Sequence, residues 1–369
     1  VVIQVTDGAN TDTITVTVNV QDVNEFSPVF GDGDTATATP NENQQAVGTY
    51  AATDTDGTAT QTYSILTAAQ NAASVDHDLF SVAGGGVLTF QASPNYEDAG
   101  CGAGNNANTC AVVIQVTDGA NTDTITVTVT VQDLNDETPA FTSSGTPSIN
   151  ENVRNVLTLA ASDTDAGDSA TFAITGGADS ELFEIDGGTT LRFAAAAGAN
   201  YESPGDAGTN NEYVVVVTAT DTGANAVAQT ITITIQDVNE FSPVFGDADG
   251  DGESSTATAT PNENQQAVGT YAATDTDGTA TQTYSILTAA QNAASVDHDL
   301  FSVAGGGVLT FQASPNYEDA GCGAGNNANT CAVVIQVTDG ANTDTITVTV
   351  NVQDVNEFSP VFGDGDTAT

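Results

Sequence analysis

The sequence predicts an all-β chain of tandem seven-stranded Greek-key sandwiches in a linear array, and three observations carry that expectation. Wherever apolar residues keep a period they alternate in steps of two, and helical spacing is never held for long. Each unit closes on a run such as Thr-Asp-Thr-Ile-Thr-Val-Thr-Val, which sets β-branched residues on one face and threonines on the other. A ten-residue stretch, Gln-Asp-Val-Asn-Glu-Phe-Ser-Pro-Val-Phe, then follows at 21–30, 236–245 and 353–362, with a looser copy at 132–141. Each copy gathers carboxylates and amides and stiffens at a proline, as a joint between folded units would.

The joint aspartates Asp22, Asp133, Asp237 and Asp354 lie 111, 104 and 117 residues apart, each interval long enough for one compact core. They divide the 369 residues into closing strands of a preceding repeat (1–21), three repeats (22–132, 133–236, 237–353), and a linker with the first strand of a following repeat (354–369). Residues 35–129 recur unchanged at 256–350, whereas the middle repeat differs at most positions and keeps only the landmarks, so there are two repeat types. Residues 1–37 equal residues 333–369. The ends therefore read either as a window cut from a longer array or as halves that complete each other in a head-to-tail polymer.

Within the first repeat the expected strands are 35–39, 46–52, 60–66, 79–82, 87–91, 111–117 and 122–132, a number and length that fit an immunoglobulin-like sandwich. Turns fall at 54–57, 83–86 and 118–121, rich in Asp, Asn and Gly. The Ala/Gln/Asn segment 67–74 could make one or two helical turns, but Asn71 and its shortness favour a loop. The middle repeat follows the same plan, with strands near 155–161, 169–174, 182–185, 189–194, 212–218 and 228–235. The third repeat opens with an insertion, 246–255, carrying Asp247, Asp249, Asp251 and Glu253; it resembles half of a calcium loop without the helices, and a solvated acidic loop is expected.

Forty-nine acidic residues against two basic ones give a formal charge of -47, which excludes nucleic acid and anionic membrane surfaces as partners for the bulk of the chain. Arg154 and Arg192 are the only cationic side chains besides the two histidines, so the carboxylates must look to bound cations for neutralisation. No apolar stretch reaches the roughly 20 residues needed to span a bilayer, and no secretory leader is visible; in a cut array anchor and export signal would lie elsewhere. The four cysteines fall as two equivalent close pairs, Cys101 with Cys110 and Cys322 with Cys331, in Gly/Asn-rich loops. That pattern favours disulfides and an oxidising compartment.

Oxygen ligands crowded at one joint repel one another unless a hard divalent cation sits among them, and calcium is the natural candidate. The landmarks support that reading in order: Asn-Glu-Asn at 41–43, 150–152 and 262–264; Asp-Thr-Asp at 54–56, 163–165 and 275–277; Asn-Tyr-Glu at 95–97, 200–202 and 316–318; Thr-Asp at 117–118, 220–221 and 338–339; then the joint. In this order and number the landmarks resemble the cadherins, and in particular the cadherin-like tandem repeats of large bacterial surface and adhesin proteins. The resemblance spans the whole chain and implies calcium held between repeats.

Carried over by motif, the resemblance assigns the first complete joint Glu42, Glu97, Asp133, Asn135, Asp136, Asp163, Asp165 and Asp221. The second takes Glu151, Glu202, Asp237, Asn239, Glu240, Asp275, Asp277 and Asp339. Two half-joints comprise Asp22, Asn24, Glu25, Asp54, Asp56 and Asp118, and Glu263, Glu318, Asp354, Asn356 and Glu357. Departures from the family pattern are Glu at the linker's fourth position in three copies, Phe or Glu after it, and Asn95, Asn200 and Asn316 where an Asp is usual. The last removes a charge from the outermost position, so two ions per joint are expected.

Catalytic patterns are absent from the sequence. His77 and His298 have no partner at ligand spacing, no nucleophile elbow, zinc-protease or phosphate-loop motif occurs, and Tyr50, Tyr63, Tyr271 and Tyr284 fall on strand patterns as core residues. The expected function is therefore an extracellular calcium-stiffened rod, on a cell surface or in a secreted filament, that spaces or links surfaces. Its partners would be calcium and either other copies of the repeat or a cell-surface ligand. A self-assembling filament subunit of the same domains is the alternative.

Overall fold

The computed structural model describes residues 1–56, 60–98, 100–101, 107–165, 167–246, 255–278, 281–319, 321–322 and 328–359. Strands β1 (Val2–Thr6) and β2 (Thr11–Thr15) form an antiparallel hairpin. The first repeat follows as β3 (Val29–Phe30), β4 (Thr35–Ala38), β5 (Ala46–Thr49), β6 (Ala52–Thr53), β7 (Thr62–Ile65), β8 (Phe80–Ala83), β9 (Val87–Phe90), β10 (Thr109–Thr117) and β11 (Thr122–Thr130). One sheet runs in the order β4-β11-β10-β7 and the facing sheet in the order β5-β9-β8, while β3 and β6 make a two-stranded ribbon. β4 lies parallel to β11, whereas β10 is antiparallel to both of its neighbours.

The seven expected strands are present, with one correction and one addition. The expected strand 46–52 breaks into β5 and β6 around Tyr50, because β5 pairs with β9 whereas β6 leaves that sheet to pair with β3. β3 was not foreseen, since two residues carry no period. The core is the alternating face of β10 and β11: Val112, Ile114, Val116, Ile125, Val127 and Val129 are buried against Leu88, Phe80 and Phe90, whose rings lie 4.7 Å apart. At about 1.5–3 kcal/mol per buried side chain, this face supplies most of the drive to fold. Tyr50 and Tyr63 pack on the same core, as Tyr271 and Tyr284 do in the third repeat.

The segment 67–74 is a loop, and its neighbours explain why. It covers the part of β10 that β7 leaves unpaired: Ser74 Oγ accepts the Val113 N–H at 3.0 Å and Asp76 Oδ2 accepts the Ala111 N–H at 2.8 Å. A helix there would leave that edge open. The turn 84–86 is tight, and Gly86 is required in it, since a Cβ at its φ of 77° would lie 1.8 Å from the Tyr50 carbonyl oxygen. Both cysteine pairs are bonded. His77 rests against the Ser74 carbonyl oxygen and Asp78.

The third repeat reproduces these sheets with Thr256–Ala259, Thr343–Asn351, Thr330–Thr338 and Thr283–Ile286 in one, and Ala267–Thr270, Val308–Phe311 and Phe301–Ala304 in the other. The middle repeat orders Ser148–Asn150, Ala226–Gln236, Glu212–Thr220 and Thr171–Gly176 likewise, facing Asn155–Thr158, Thr190–Phe193 and Phe183–Asp186. It has no disulfide; Tyr213 stands at the position of Cys110, and its hydroxyl accepts the Gly205 N–H at 3.0 Å. Both arginines are spent on one carboxylate group, Arg154 and Arg192 each pairing with Glu184 and Arg192 also with Asp186. The acidic insertion 247–254 and the expected strand after 359 lie outside the described residues.

Packing divides the chain into two compact units, residues 1–143 with 159–173 and 218–228, and residues 144–158 with 174–217 and 229–369. The division runs through the middle repeat. Each complete joint therefore falls, with all its predicted residues, inside one unit.

Candidate metal centres

The first joint is assembled by backbone hydrogen bonds to buried carboxylates. Glu42, only 1% exposed, accepts the Leu134 N–H of the linker through Oε1 at 2.8 Å and the Tyr96 N–H through Oε2 at 2.7 Å. It thereby brings Glu97, the next residue after Tyr96, and linker Asp133 to the same place: one oxygen from each of Glu42, Glu97 and Asp133 lies within 4.8 Å of the others. Asn43, at a φ of 59°, turns its amide onto Asp136 Oδ2 at 2.6 Å. The Asn-Glu-Asn landmark thus grips the linker twice, and the second Asn is a site residue that sequence reasoning did not assign.

On the far side of the linker, Asp163 Oδ1 accepts the Asp165 N–H at 3.1 Å and Asp165 Oδ2 accepts the Glu137 N–H at 3.1 Å. Asp221 accepts both the backbone and side-chain N–H of Asn225 at 2.7 Å, and Asn225 reaches the Asn135 carbonyl oxygen at 3.2 Å. Asp163, Asp165, Asp168 and Asp221 form one oxygen group within 4.8 Å, and Glu97, Asp136 and Glu137 another. Asp168 and Glu137 were not predicted. Their signal was weak, because neither stands at a landmark position.

The donor set can be tested against a cation from the oxygens it leaves over. Both oxygens of Glu97, Asp163 Oδ2 and Asp165 Oδ1 are buried and accept no hydrogen bond. Buried polar atoms are rarely left so, and a charged one costs several kcal/mol unless a counter-charge meets it. With no lysine in the chain and both arginines engaged elsewhere, the described residues contain no side-chain cation at the joint. All-oxygen donors of this kind fit a hard divalent ion of the size of calcium, which takes six to eight oxygens at about 2.3–2.6 Å.

The second joint repeats the construction. Glu151 accepts the Tyr201 and Val238 N–H groups at 2.8 and 2.9 Å, Asn152 donates to Glu240 at 2.9 Å, and Asp277 accepts the Phe241 N–H at 2.7 Å. Glu151, Glu202 and Asp237 meet within 4.8 Å. Both oxygens of Glu202, Asp275 Oδ2 and Asp277 Oδ1 are again buried without a donor. The Asn239 amide oxygen faces Asp339 Oδ2 and Asp277 Oδ2 at 2.9 and 3.3 Å; these contacts suit a shared cation, or a hydrogen bond if the amide is turned over. Asp275, Asp277 and Asp339 do not join the Glu151 group.

At the half-joints, Asp56 accepts the Phe26 N–H at 2.6 Å, Asn24 donates to the Asp118 carbonyl oxygen at 3.3 Å, and Asp54 Oδ2 is buried without a donor. Glu263 accepts the Tyr317 and Val355 N–H groups at 2.7 and 2.8 Å, Asn264 donates to Glu357, and Glu263, Glu318 and Glu357 meet within 4.8 Å. Asp22, Glu25, Asp354 and Asn356 belong to no such group. A further unforeseen set is Asn121, Asn225 and Asn342, each of which donates to a carbonyl oxygen of the linker before its own repeat.

Crowding shows in the acidities. Burial, then Glu42, Asp133 and Asp165, push the Glu97 carboxyl up, and burial with Glu151, Glu240 and Asp237 does the same to Glu202. Hydrogen bonds from Asn121 and Ala120 hold Asp118 down, and those from Asn342 and Ala341 hold Asp339 down. A raised carboxyl keeps its proton in the fold more readily than in the unfolded chain. Its contribution to stability is full below the unfolded value and is lost as pH rises through the folded one. A lowered carboxyl does the reverse and loses its contribution as pH falls through its folded value. Calcium-free protein acidified from neutral pH toward the ordinary carboxylate range should therefore melt at a higher temperature as the raised glutamates take up protons, a gain reversed on further acidification once the lowered aspartates begin to protonate. In calcium the same acidification should lower the melting temperature, because protons compete with the ion. A chelated sample that loses stability steadily from pH 7 downward would contradict this.

No family model matches the chain. Human protocadherin-16 is 30% identical over 261 residues, covering 63% of this chain, and human cadherin-23 is 29% identical over 250 residues, also 63%. The Drosophila melanogaster protocadherin-like wing polarity protein stan is 27% identical over 263 residues, 68% of the chain. The chain spans about 7% of the length of each of these relatives. Among solved structures, the protocadherin gamma B4 extracellular domain superposes with a TM-score of 0.59 at 22% identity, over 96% of this chain and 55% of that one. Mouse cadherin-23 EC22-24 superposes with a TM-score of 0.54 at 19% identity, over 90% and 100%. The fold is thus that of tandem cadherin ectodomain repeats, and the relatives support a cadherin-like domain type.

Proposed function

We propose that this chain is a calcium-stiffened segment of an extracellular adhesion or spacing array, with cadherin-like repeats at 22–132, 133–236 and 237–353. By the identity of 1–37 with 333–369, residues 1–21 correspond to closing strands of a repeat and 354–369 to a linker and opening strand. The relatives are cadherins and protocadherins, adhesion proteins and not enzymes, and one structure on which the chain superposes is an extracellular domain. Among the described residues no helix is long and apolar enough to cross a membrane. The setting we propose, a large bacterial surface protein, rests on the sequence resemblance, since the relatives named above are animal proteins.

One observation carries the calcium reading: at each complete joint, glutamates of the preceding repeat meet a linker aspartate, and buried oxygens on both sides of the linker, those of Glu97, Asp163 and Asp165, and of Glu202, Asp275 and Asp277, accept no hydrogen bond. Without an ion such a joint repels itself and should open. Two charges near 5 Å repel by about 1 kcal/mol in water and several times more at lower effective dielectric. Calcium would offset the repulsion and hold adjacent repeats in a fixed relation, so that force or reach is transmitted along the array. Glu42, Glu151 and Glu263 would set the linker, and the Asp-Thr-Asp and Thr-Asp landmarks would close the cage.

Calorimetric titration of the chelated protein, paired with small-angle scattering, tests this. Two or more ions per complete joint are expected, with the maximum particle dimension growing as the sites fill. Absence of heat and of any dimensional change at millimolar calcium would leave a string of acidic sandwiches without this function.

A further inference from the structure

The glutamate that each repeat sends to its joint follows a tyrosine whose backbone is held at both ends. Tyr96 gives its N–H to Glu42, and its carbonyl oxygen accepts Asn108 Nδ2 at 2.9 Å. In the middle repeat the Tyr201 N–H goes to Glu151, and the Tyr201 carbonyl oxygen accepts Asn211 Nδ2 at 2.9 Å. In the third, Asn329 Nδ2 meets the Tyr317 carbonyl oxygen at 2.9 Å. The main chain of the same asparagines holds the linkers. The Asn108, Asn211 and Asn329 carbonyl oxygens accept the Val131, Ile235 and Val352 N–H groups at 2.8, 2.9 and 2.8 Å, two places before Asp133, Asp237 and Asp354. One residue thus ties the glutamate's loop to the root of the linker.

The two repeat types reach this bond by different routes, so it is not a by-product of shared sequence. Asn108 stands eleven residues after Glu97, and Asn211 nine residues after Glu202. In the Cys-type repeats the bond between Cys101 and Cys110 brackets the asparagine. In the middle repeat Asp206, 3% exposed, holds that stretch by accepting the Asn210 and Asn211 N–H groups at 3.0 and 3.1 Å. Asn211 takes a φ of 62°, whereas Asn108 and Asn329 stay out of the left-handed region. Length, closure and dihedral all change, and the amide still meets the tyrosine carbonyl.

What the bond governs follows from the carboxylates. Both oxygens of Glu97 and of Glu202 are buried and accept no hydrogen bond, so the backbone from which these side chains hang decides where they point. We propose that Asn108 and Asn211 are positioning residues that pre-orient Glu97 and Glu202 as cation ligands, each governing the calcium affinity of its own joint. The inference rests on the calcium reading above and deepens it. A pre-oriented ligand loses less freedom on binding, and the partners that orient metal ligands typically govern affinity by about 10–100-fold.

Hydrogen–deuterium exchange of the intact chain across a calcium titration reads the joints separately, because the peptides 130–140 and 230–240 each occur once in the sequence. Asn211→Ala should raise the calcium midpoint for protection of 230–240 by about tenfold or more and leave that of 130–140 unmoved. Asn108→Ala should do the reverse. Core strand 212–220 of the Asn211→Ala chain should keep its protection in chelator. Asn211→Asp keeps the side chain's shape, removes the donor and adds a negative charge. It should raise the midpoint as alanine does, whereas added charge alone would lower it. Midpoints indifferent to both alanine variants, a shift shared by both linkers, or an Asn211→Asp chain that fills at lower calcium than the parent would overturn the inference and spare the calcium reading. Loss of protection of 212–220 in chelator would overturn it too, by making Asn211 a support of the fold itself. If neither linker of the parent chain gains protection at millimolar calcium, the calcium reading fails and this inference fails with it.

Discussion

Adding a few millimolar calcium to the chelated protein should raise the melting temperature of its least stable repeat by about 10–20 °C. Extracellular calcium modules bind with dissociation constants of about 10⁻⁴ to 10⁻³ M, so a site at roughly tenfold excess contributes about 1.4 kcal/mol by mass action. Two ions at a joint then contribute about 3 kcal/mol. One kcal/mol moves the midpoint of a domain of about 100 residues by roughly 4–8 °C. Magnesium at the same concentration should do much less, because it demands six close ligands in octahedral array and sheds its water reluctantly. The buried oxygens of Glu97 and Glu202 explain why the effect should be large: each carboxylate is already desolvated by the fold, and folding without the ion bears that cost unrelieved. Calorimetric scans in chelator, magnesium and calcium check it. Superposable scans in chelator and calcium would remove the ion from the account of this fold.

The parts of this architecture that were legible in the sequence are those set by short periods and by repetition. Ile125, Val127 and Val129 alternate with threonines, and all three are buried. The landmark tripeptides recur at matching places in three repeats, and the structure gathers Glu42 with Glu97 and Asp133, and Asp163 with Asp165 and Asp221. What stayed hidden depends on contacts between distant residues. Asn43 reaches Asp136 across 93 positions, and only its left-handed backbone aims the amide that way. Thr222 looks like ordinary loop variation until Asp168 and Asn135 are seen beside it. Burial itself is not a local property: residues 2–15 are exposed throughout, whereas the same residues at 334–347 alternate into a core. The covering sheet, not the strand's own sequence, decides which face is dry.

Two substitutions one motif apart should separate the fold's use of its carboxylates from the ion's. Glu42→Ala removes both acceptors of the Tyr96 and Leu134 N–H groups and leaves two part-buried donors without partners. Each such donor costs about 1–3 kcal/mol, so a loss of about 3–5 kcal/mol is expected in chelator and calcium alike, with the first joint's calcium sites gone as well. Glu97→Gln acts differently, because neither of its oxygens accepts a hydrogen bond and the carboxyl is pushed up by burial and by Glu42, Asp133 and Asp165. Removing that charge relieves repulsion when no ion is present and removes a ligand when one is. The substitution should therefore raise the melting temperature in chelator and lower it in calcium, a crossing of sign that loss of packing cannot produce. Scans of both variants in both buffers decide the matter. A Glu97→Gln chain less stable in chelator as well as in calcium would make Glu97 a structural acid, and the joint's cation would have to be held by other residues.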